Sequence, residues 1–143
     1  MESPIDLVRS FCEAWSDDMA ADDLAAFFSE DAVYHNMPFP EAVTGRENIA
    51  KNIDSFIRPG APGIEGIRFR VINIASNGPI VMTERVDTFR VPDRTFDLRV
   101  VGVFEVEDGK IRAWRDYFDP NEFLKGMGDA PTVVSRGEDA KSP

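Results

Sequence analysis

Five polar side chains attract attention because of their chemistry and their spacing. Tyr34 and Asn36 are separated by one residue, as are Arg85 and Asp87, and Asp116 sits between Trp114 and Phe118 at the same interval. If each segment is a strand, residues two apart share a face, so each pair looks into one space. An arginine forked between two carboxylates holds both in place and lets one stay ionised while the other keeps a proton, an acid and a base in one unit. A phenol and a carboxamide orient a water molecule. Base, water and acid lined up in this way suffice for hydrolysis of a strained electrophile, with neither a metal nor a covalent nucleophile required.

The elements that must carry these groups can be read from the second half of the chain. Asp108-Gly109 is the strongest short hairpin signal, and it delivers a strand running through Asp116. On that strand Ile111, Ala113, Arg115 and Tyr117 face one way, while Trp114, Asp116 and Phe118 face the other. A carboxylate between two aromatic rings is expensive to keep charged, so Asp116 needs a hydrogen-bonded partner or a task that uses a perturbed proton affinity. Upstream, Ile80 to Phe89 reads as a long strand with Val81, Thr83, Arg85, Asp87 and Phe89 on one face. A turn at Pro92-Asp93 leads to a strand with a continuous apolar row, Phe96, Leu98, Val100, Gly102, Phe104 and Val106. From Ile64 onward, Ile67, Phe69 and Val71 alternate with Arg68 and Arg70, and Ser76-Asn77-Gly78-Pro79 turns that strand into the next.

The first half is helical and extended by turns. Ser3-Pro4 is an N-cap followed by proline at the first helical position, and Ile5, Val8, Phe11, Cys12 and Trp15 recur at helical spacing. Cys12 lies on that apolar stripe with no basic neighbour and reads as core. A short second helix is expected around Leu24, Phe27 and Phe28, and the acidic group Asp17, Asp18, Asp22 and Asp23 reads as solvated. Asp31 to Asn36 is extended, with Tyr34 and Asn36 on one face and the lone His35 on the opposite one. Met37-Pro38-Phe39-Pro40 breaks regular structure as an apolar flap. Thr44-Gly45-Arg46-Glu47 reads as a capping box opening a third helix through Ile49, Ile53, Phe56 and Ile57, which stops at Pro59-Gly60. After Leu124 the composition turns to Gly, Pro, Ser and charge, which divides the chain into a domain over 1–125 and a flexible tail over 126–143. The pattern predicts an α+β fold, a curved mixed or antiparallel sheet forming a cone with N-terminal helices on its concave face. Such a cone holds an apolar pocket with a few convergent polar groups, and Met37, Phe39, Phe56 and Ile57 are the candidates for its substrate-binding wall.

A net charge of -10 argues against nucleic acid or an anionic membrane as partner. The N-terminus lacks a signal peptide's basic and apolar regions, which predicts a cytoplasmic protein. One Cys and one His leave no Cys/His metal site, and no cofactor is called for.

The sequence resembles the limonene-1,2-epoxide hydrolase family, a branch of the cone-shaped fold of nuclear transport factor 2, ketosteroid isomerase and the SnoaL-like polyketide cyclases. The resemblance rests on Tyr34-His35-Asn36, on Glu84-Arg85-Val86-Asp87, and on Gly102-Val103-Phe104 running through Gly109-Lys110-Ile111 to Trp114-Arg115-Asp116-Tyr117-Phe118-Asp119, and it covers roughly residues 4–125. It implies one-step, cofactor-independent addition of water to a hydrophobic epoxide of terpene, lipid or steroid type, giving a vicinal diol. Asp116 would be the general base, protonated Asp87 the general acid, Arg85 the bridge between them, and Tyr34 and Asn36 the water holders. A homodimer packed through the outer face of the sheet is also implied. Two other readings compete. A proton-shuttling isomerase or cyclase of the ketosteroid-isomerase type needs no Arg between two Asp, and a non-catalytic small-lipid-binding module would bind epoxides without turnover.

Overall fold

The computed structural model describes residues 2–16, 18–57 and 63–128. Helix α1 (Pro4–Ala14) starts where Ser3 accepts a hydrogen bond from the Asp6 amide, with Pro4 in the first turn, and it buries Leu7, Val8, Phe11 and Cys12. Helix α2 (Ala21–Ala25) is shorter than the expected second helix. Phe28 instead opens strand β1 (Phe28–Asn36), because its ring is needed under Phe11 and Trp114 at the centre of the core. The predicted capping box does not form. Thr44 is committed to the two-residue strand β2 (Val43–Thr44), paired with Val33, and Gly45, at φ +96°, turns the chain into helix α3 (Arg46–Phe56) as its cap. Helix α3 ends at Phe56 with Ile57 as C-cap, and Pro59-Gly60 lies outside the described residues.

Strands β3 (Gly66–Asn77), β4 (Ile80–Val91), β5 (Arg94–Glu107) and β6 (Lys110–Tyr117) form an antiparallel meander. The sheet order is β2-β1-β6-β5-β4-β3, and β1 joins β6 in parallel. The protein is therefore α+β with a curved mixed sheet, and the aromatic core under α1 is held on its concave side. Phe11 of α1 makes edge contacts with Phe28, Phe104 and Trp114 at 5.1 to 5.9 Å. Among the described residues no helix is long and apolar enough to cross a membrane.

One element was not foreseen. Helix α4 (Pro120–Met127) is capped by Asp119, whose carboxylate accepts from the Asn121 amide, and ends at Gly128 in the left-handed region. It runs two residues past the expected domain boundary, and the remainder of the expected tail, 129–143, lies outside the described residues.

The hairpin that delivers Asp116 depends on a two-residue turn with Asp108 at φ +52° and Gly109 at φ +73°. A Cβ on Gly109 meets nothing within 4 Å, so replacing it has a conformational cost alone. Gly109→Ala should destabilise the protein by about 1 kcal/mol, the penalty for a side chain in that region. Chemical denaturation measures this, and an unchanged midpoint would mean that the turn relaxes into another type.

Candidate active site

The register of the sheet assembles the polar groups. Asn36 lies beside Asp116 across β1 and β6, Asp116 faces Gly102 across β6 and β5, and Gly102 faces Thr83 across β5 and β4. One row therefore runs through four strands. The row on one side holds Tyr34 beside Trp114; on the other side comes Arg85 beside Val100, and beyond it Asp87 between Phe69 and Leu98. Arg85 must reach from β4 over β5 to meet Asp116, and it crosses at Gly102. A Cβ at that position would come within 2.5 Å of Arg85 Nη1, 2.8 Å of Asp116 Oδ1 and 2.9 Å of Thr83 Oγ1.

All five N–H donors of the guanidinium are taken. Nε and Nη2 donate to Asp87 Oδ1 and Oδ2 at 3.0 and 2.9 Å. Nη1 and Nη2 donate to Asp116 Oδ1 and Oδ2 at 3.2 and 2.9 Å, and Nη1 also donates to Thr83 Oγ1 at 3.3 Å. The Phe69 ring lies 4.2 Å from the guanidinium carbon. Arg85, Asp87 and Asp116 are only 1%, 3% and 5% exposed. Trp114 Nε1 donates to Asp116 Oδ1 at 2.7 Å, and Tyr34, stacked on the Trp114 ring at 4.2 Å, donates through its hydroxyl to Asn36 Oδ1 at 3.1 Å.

Burial pushes the Asp87 carboxyl up to about 6; Arg85 opposes the shift and the nearby Asp116 charge adds to it. Burial, reinforced by Asp116, holds the Tyr34 phenol well above its ordinary value, so it stays a neutral donor. For Arg85, burial works against the charge, but the two carboxylates more than reverse this and keep it ionised. Cys12, buried on α1, is pushed up to about 12 by desolvation and is an unreactive thiol. His35 Nε2 is 2.8 Å from the Phe39 carbonyl, where it holds the turn after β1 and does not line the cavity.

A cavity of about 440 Å³ opens over this cluster. Tyr34, Asn36, Asp87 and Asp116 line it at the sheet, and the rest of its wall is mainly aromatic and aliphatic, including Trp15, Phe69, Phe118 and Phe123. Of the four expected wall residues, Phe39 and Phe56 line it. Met37 and Ile57 do not. Met37 is tied by its backbone amide to the Asp116 carbonyl, and Ile57, past the end of α3, bridges to Ile64 and borders a separate groove between α2 and α3. Helix α4 contributes Phe123 and Met127, and is held by Arg99 on Glu122 at 2.8 Å and by the packing of Gly126 against the Phe96 ring, where a Cβ would be 2.2 Å from a ring carbon.

The limonene-1,2-epoxide hydrolase catalytic domain matches residues 2–128. The chain belongs to this family of epoxide hydrolases. Epoxide hydrolase EphG of Mycobacterium tuberculosis is 33% identical over 106 residues, which cover 74% of this chain and 67% of that protein. The structure of an M. tuberculosis epoxide hydrolase of this type superposes with a TM-score of 0.72 at 31% identity, covering 87% of this chain and 88% of that one. A protein of ketosteroid isomerase-like fold from Catenulispora acidiphila superposes with a TM-score of 0.76 at 18% identity, over 94% of this chain and all of that one, which shows the shared fold alone.

Sequence reasoning brought together Tyr34, Asn36, Arg85, Asp87 and Asp116 but passed over Thr83 and Trp114 as partners. Both sit two residues from a charged group on the same strand face, and that spacing was the available signal. The crossing at Gly102 yields a test. Gly102→Ala should separate Arg85 from Asp116 and lower activity at least tenfold while the protein still folds, as judged by circular dichroism and turnover. Wild-type turnover in that variant would mean that the guanidinium has another path over β5.

Proposed function

We propose that this enzyme adds water in one step to a hydrophobic epoxide, with Asp116 as general base and Asp87 as general acid. The observation that carries this reading is the saturated guanidinium between two carboxylates that line the same apolar cavity. Atom by atom, the hydrogen-bond pattern supports this division of roles. Asp116 Oδ1 already accepts from Arg85 and Trp114, whereas Oδ2 accepts from Arg85 alone and keeps a lone pair for a water proton. Because Tyr34 donates to Asn36 Oδ1, its own oxygen is left to accept and the Asn36 amide nitrogen to donate. A water in this position gives one proton to Asp116 Oδ2 and one to Tyr34, and accepts one from Asn36. One lone pair remains to attack an epoxide carbon.

Both Asp87 oxygens accept from Arg85, so the proton of its neutral form takes a remaining lone-pair direction, towards the cavity that Asp87 lines. As the new carbon–oxygen bond forms, the strained carbon–oxygen bond breaks and its electrons take that proton, leaving a vicinal diol. Asp116 then holds the proton from water, and its return to Asp87 resets the pair. The predominantly apolar wall favours substrates of terpene, lipid or steroid type. We also propose a homodimer packed through the outer face of the sheet: Met82 on β4, Val101 on β5 and Tyr117 on β6 are 44 to 46% exposed and alternate with the cavity-facing residues of their strands.

Asp116→Asn keeps the side-chain volume but loses the basic oxygen. It should abolish diol formation from a panel of terpene and steroid epoxides with little change in melting temperature, and equal turnover in variant and wild type would remove Asp116 from the mechanism. In a single turnover in oxygen-18 water, the wild-type diol should carry the label. An unlabelled first-turnover diol would point to a covalent ester instead. The pH profile tests the acid. With the Asp87 pKa raised to about 6 in the free enzyme, the protonated form disappears above that value, so kcat/KM should fall as pH rises through it, approaching tenfold per pH unit. A flat profile from pH 5 to about pH 8 would exclude Asp87 as proton donor.

A further inference from the structure

Among the described residues, one buried side-chain polar atom has no hydrogen-bond partner, the indole Nε1 of Trp15. Trp15 is 3% exposed, sits at the C-cap of α1 and lines the cavity. Its surroundings are rings, with Phe69 stacked at 4.4 Å and Phe11 and Trp114 edge-on at 6.0 and 6.1 Å, none of which replaces an oxygen acceptor. A buried N–H without a partner is destabilising, and phenylalanine would give much of the same stacking without that penalty. The comparison within the molecule is direct: the other tryptophan, Trp114, also lines the cavity, and its N–H is spent on Asp116. Trp15 carries the same donor with nothing in the protein to receive it.

We propose that the Trp15 indole N–H is a recognition donor for a second oxygen of the substrate, so that the preferred epoxide carries a carbonyl or hydroxyl acceptor several bonds from its oxirane. This rests on the epoxide-hydrolase reading of the site and narrows its substrate class. Phe69 packs against both Trp15, at 4.4 Å, and the Arg85 guanidinium, at 4.2 Å, so the ring that touches the acid–base cluster also touches the indole, while the indole N–H stays outside that hydrogen-bonded cluster. The other polar lining groups, Tyr34, Asn36, Asp87 and Asp116, are engaged at the reacting end. The indole is the remaining donor for a remote oxygen, and a substrate that supplies one relieves an unmet hydrogen bond that a hydrocarbon leaves unmet. A site built with such a donor discriminates strongly against the analogue that lacks the acceptor.

The test uses matched pairs: limonene 1,2-epoxide and its isostere in which a ketone carbonyl replaces the exocyclic alkene, and a steroid epoxide with and without a ring ketone. In Trp15→Phe, kcat/KM should fall about tenfold more for at least one keto member than for its hydrocarbon partner, with the difference residing in KM. Equal effects within both pairs overturn the proposal while leaving the hydrolase reading intact. No turnover of any member by the wild type overturns the hydrolase reading and this proposal with it. A second measurement does not depend on the variant's folding. The chain has only two tryptophans, so a nitrogen-15 spectrum shows two indole N–H signals. The diol product of the favoured keto epoxide should move the Trp15 proton signal downfield, and the matched hydrocarbon diol should not. Identical shifts with both diols overturn the assignment.

Discussion

The guanidinium of Arg85 sets the terms for the rest of the molecule. It is buried and makes five hydrogen bonds, four of them to Asp87 and Asp116. With both carboxylates ionised the cluster carries one excess negative charge in an apolar interior; with one of them protonated it is neutral. Low dielectric therefore disfavours the excess charge, in keeping with the raised proton affinity of Asp87. Buried ion clusters add little net stability once desolvation is counted, so a fold that retains one across three strands gains something other than stability from it.

That requirement propagates outward through the strand register. Arg85 on β4 and Asp116 on β6 meet only if β5 offers no side chain between them, which makes Gly102 a steric requirement. Sliding β6 by one residue would bring Arg115 inward and turn Asp116 to solvent, so the Asp108-Gly109 turn and the parallel pairing of β1 with β6 both carry functional weight. The aromatic packing serves the same end. Phe69 covers the guanidinium, and Trp114 supports Tyr34 by stacking while its N–H fixes Asp116.

How much of this was legible follows from the physics of each signal. Period two is robust, so the common face of Val81, Thr83, Arg85, Asp87 and Phe89 could be read directly, and all five are buried. Turns with positive φ announce themselves through Asp-Gly. Side-chain hydrogen bonds depend on rotamers and on strand order, which is why Thr83 and Trp114 escaped notice as partners. Helix α4 buries none of its residues fully and contains Gly126, so its apolar periodicity is faint; its cap, Asp119-Pro120, was the readable trace. Met37 and Ile57 failed as wall residues because apolar character does not say which side of a turn or helix end faces the cavity. The Thr44 capping box failed because strand pairing and a cap compete for the same backbone, and here pairing prevailed.

The raised proton affinity of Asp87 also bears on stability. Its ordinary value is 3.8 and the folded value is about 6, so the folded protein binds the proton more tightly than the unfolded chain. The stability contributed by this group is fully present below the unfolded value and is lost as pH rises through about 6. At neutral pH the fold therefore holds a carboxylate in a place that favours its acid. The surrounding layer of Phe11, Phe28, Phe104 and Trp114, all buried, supplies apolar burial that offsets this. The unfavourable term is confined to one carboxyl, and a more comfortable Asp87, solvated or fully charge-matched, would lose its proton at a lower pH and, in the proposed mechanism, have less of its acid form to give.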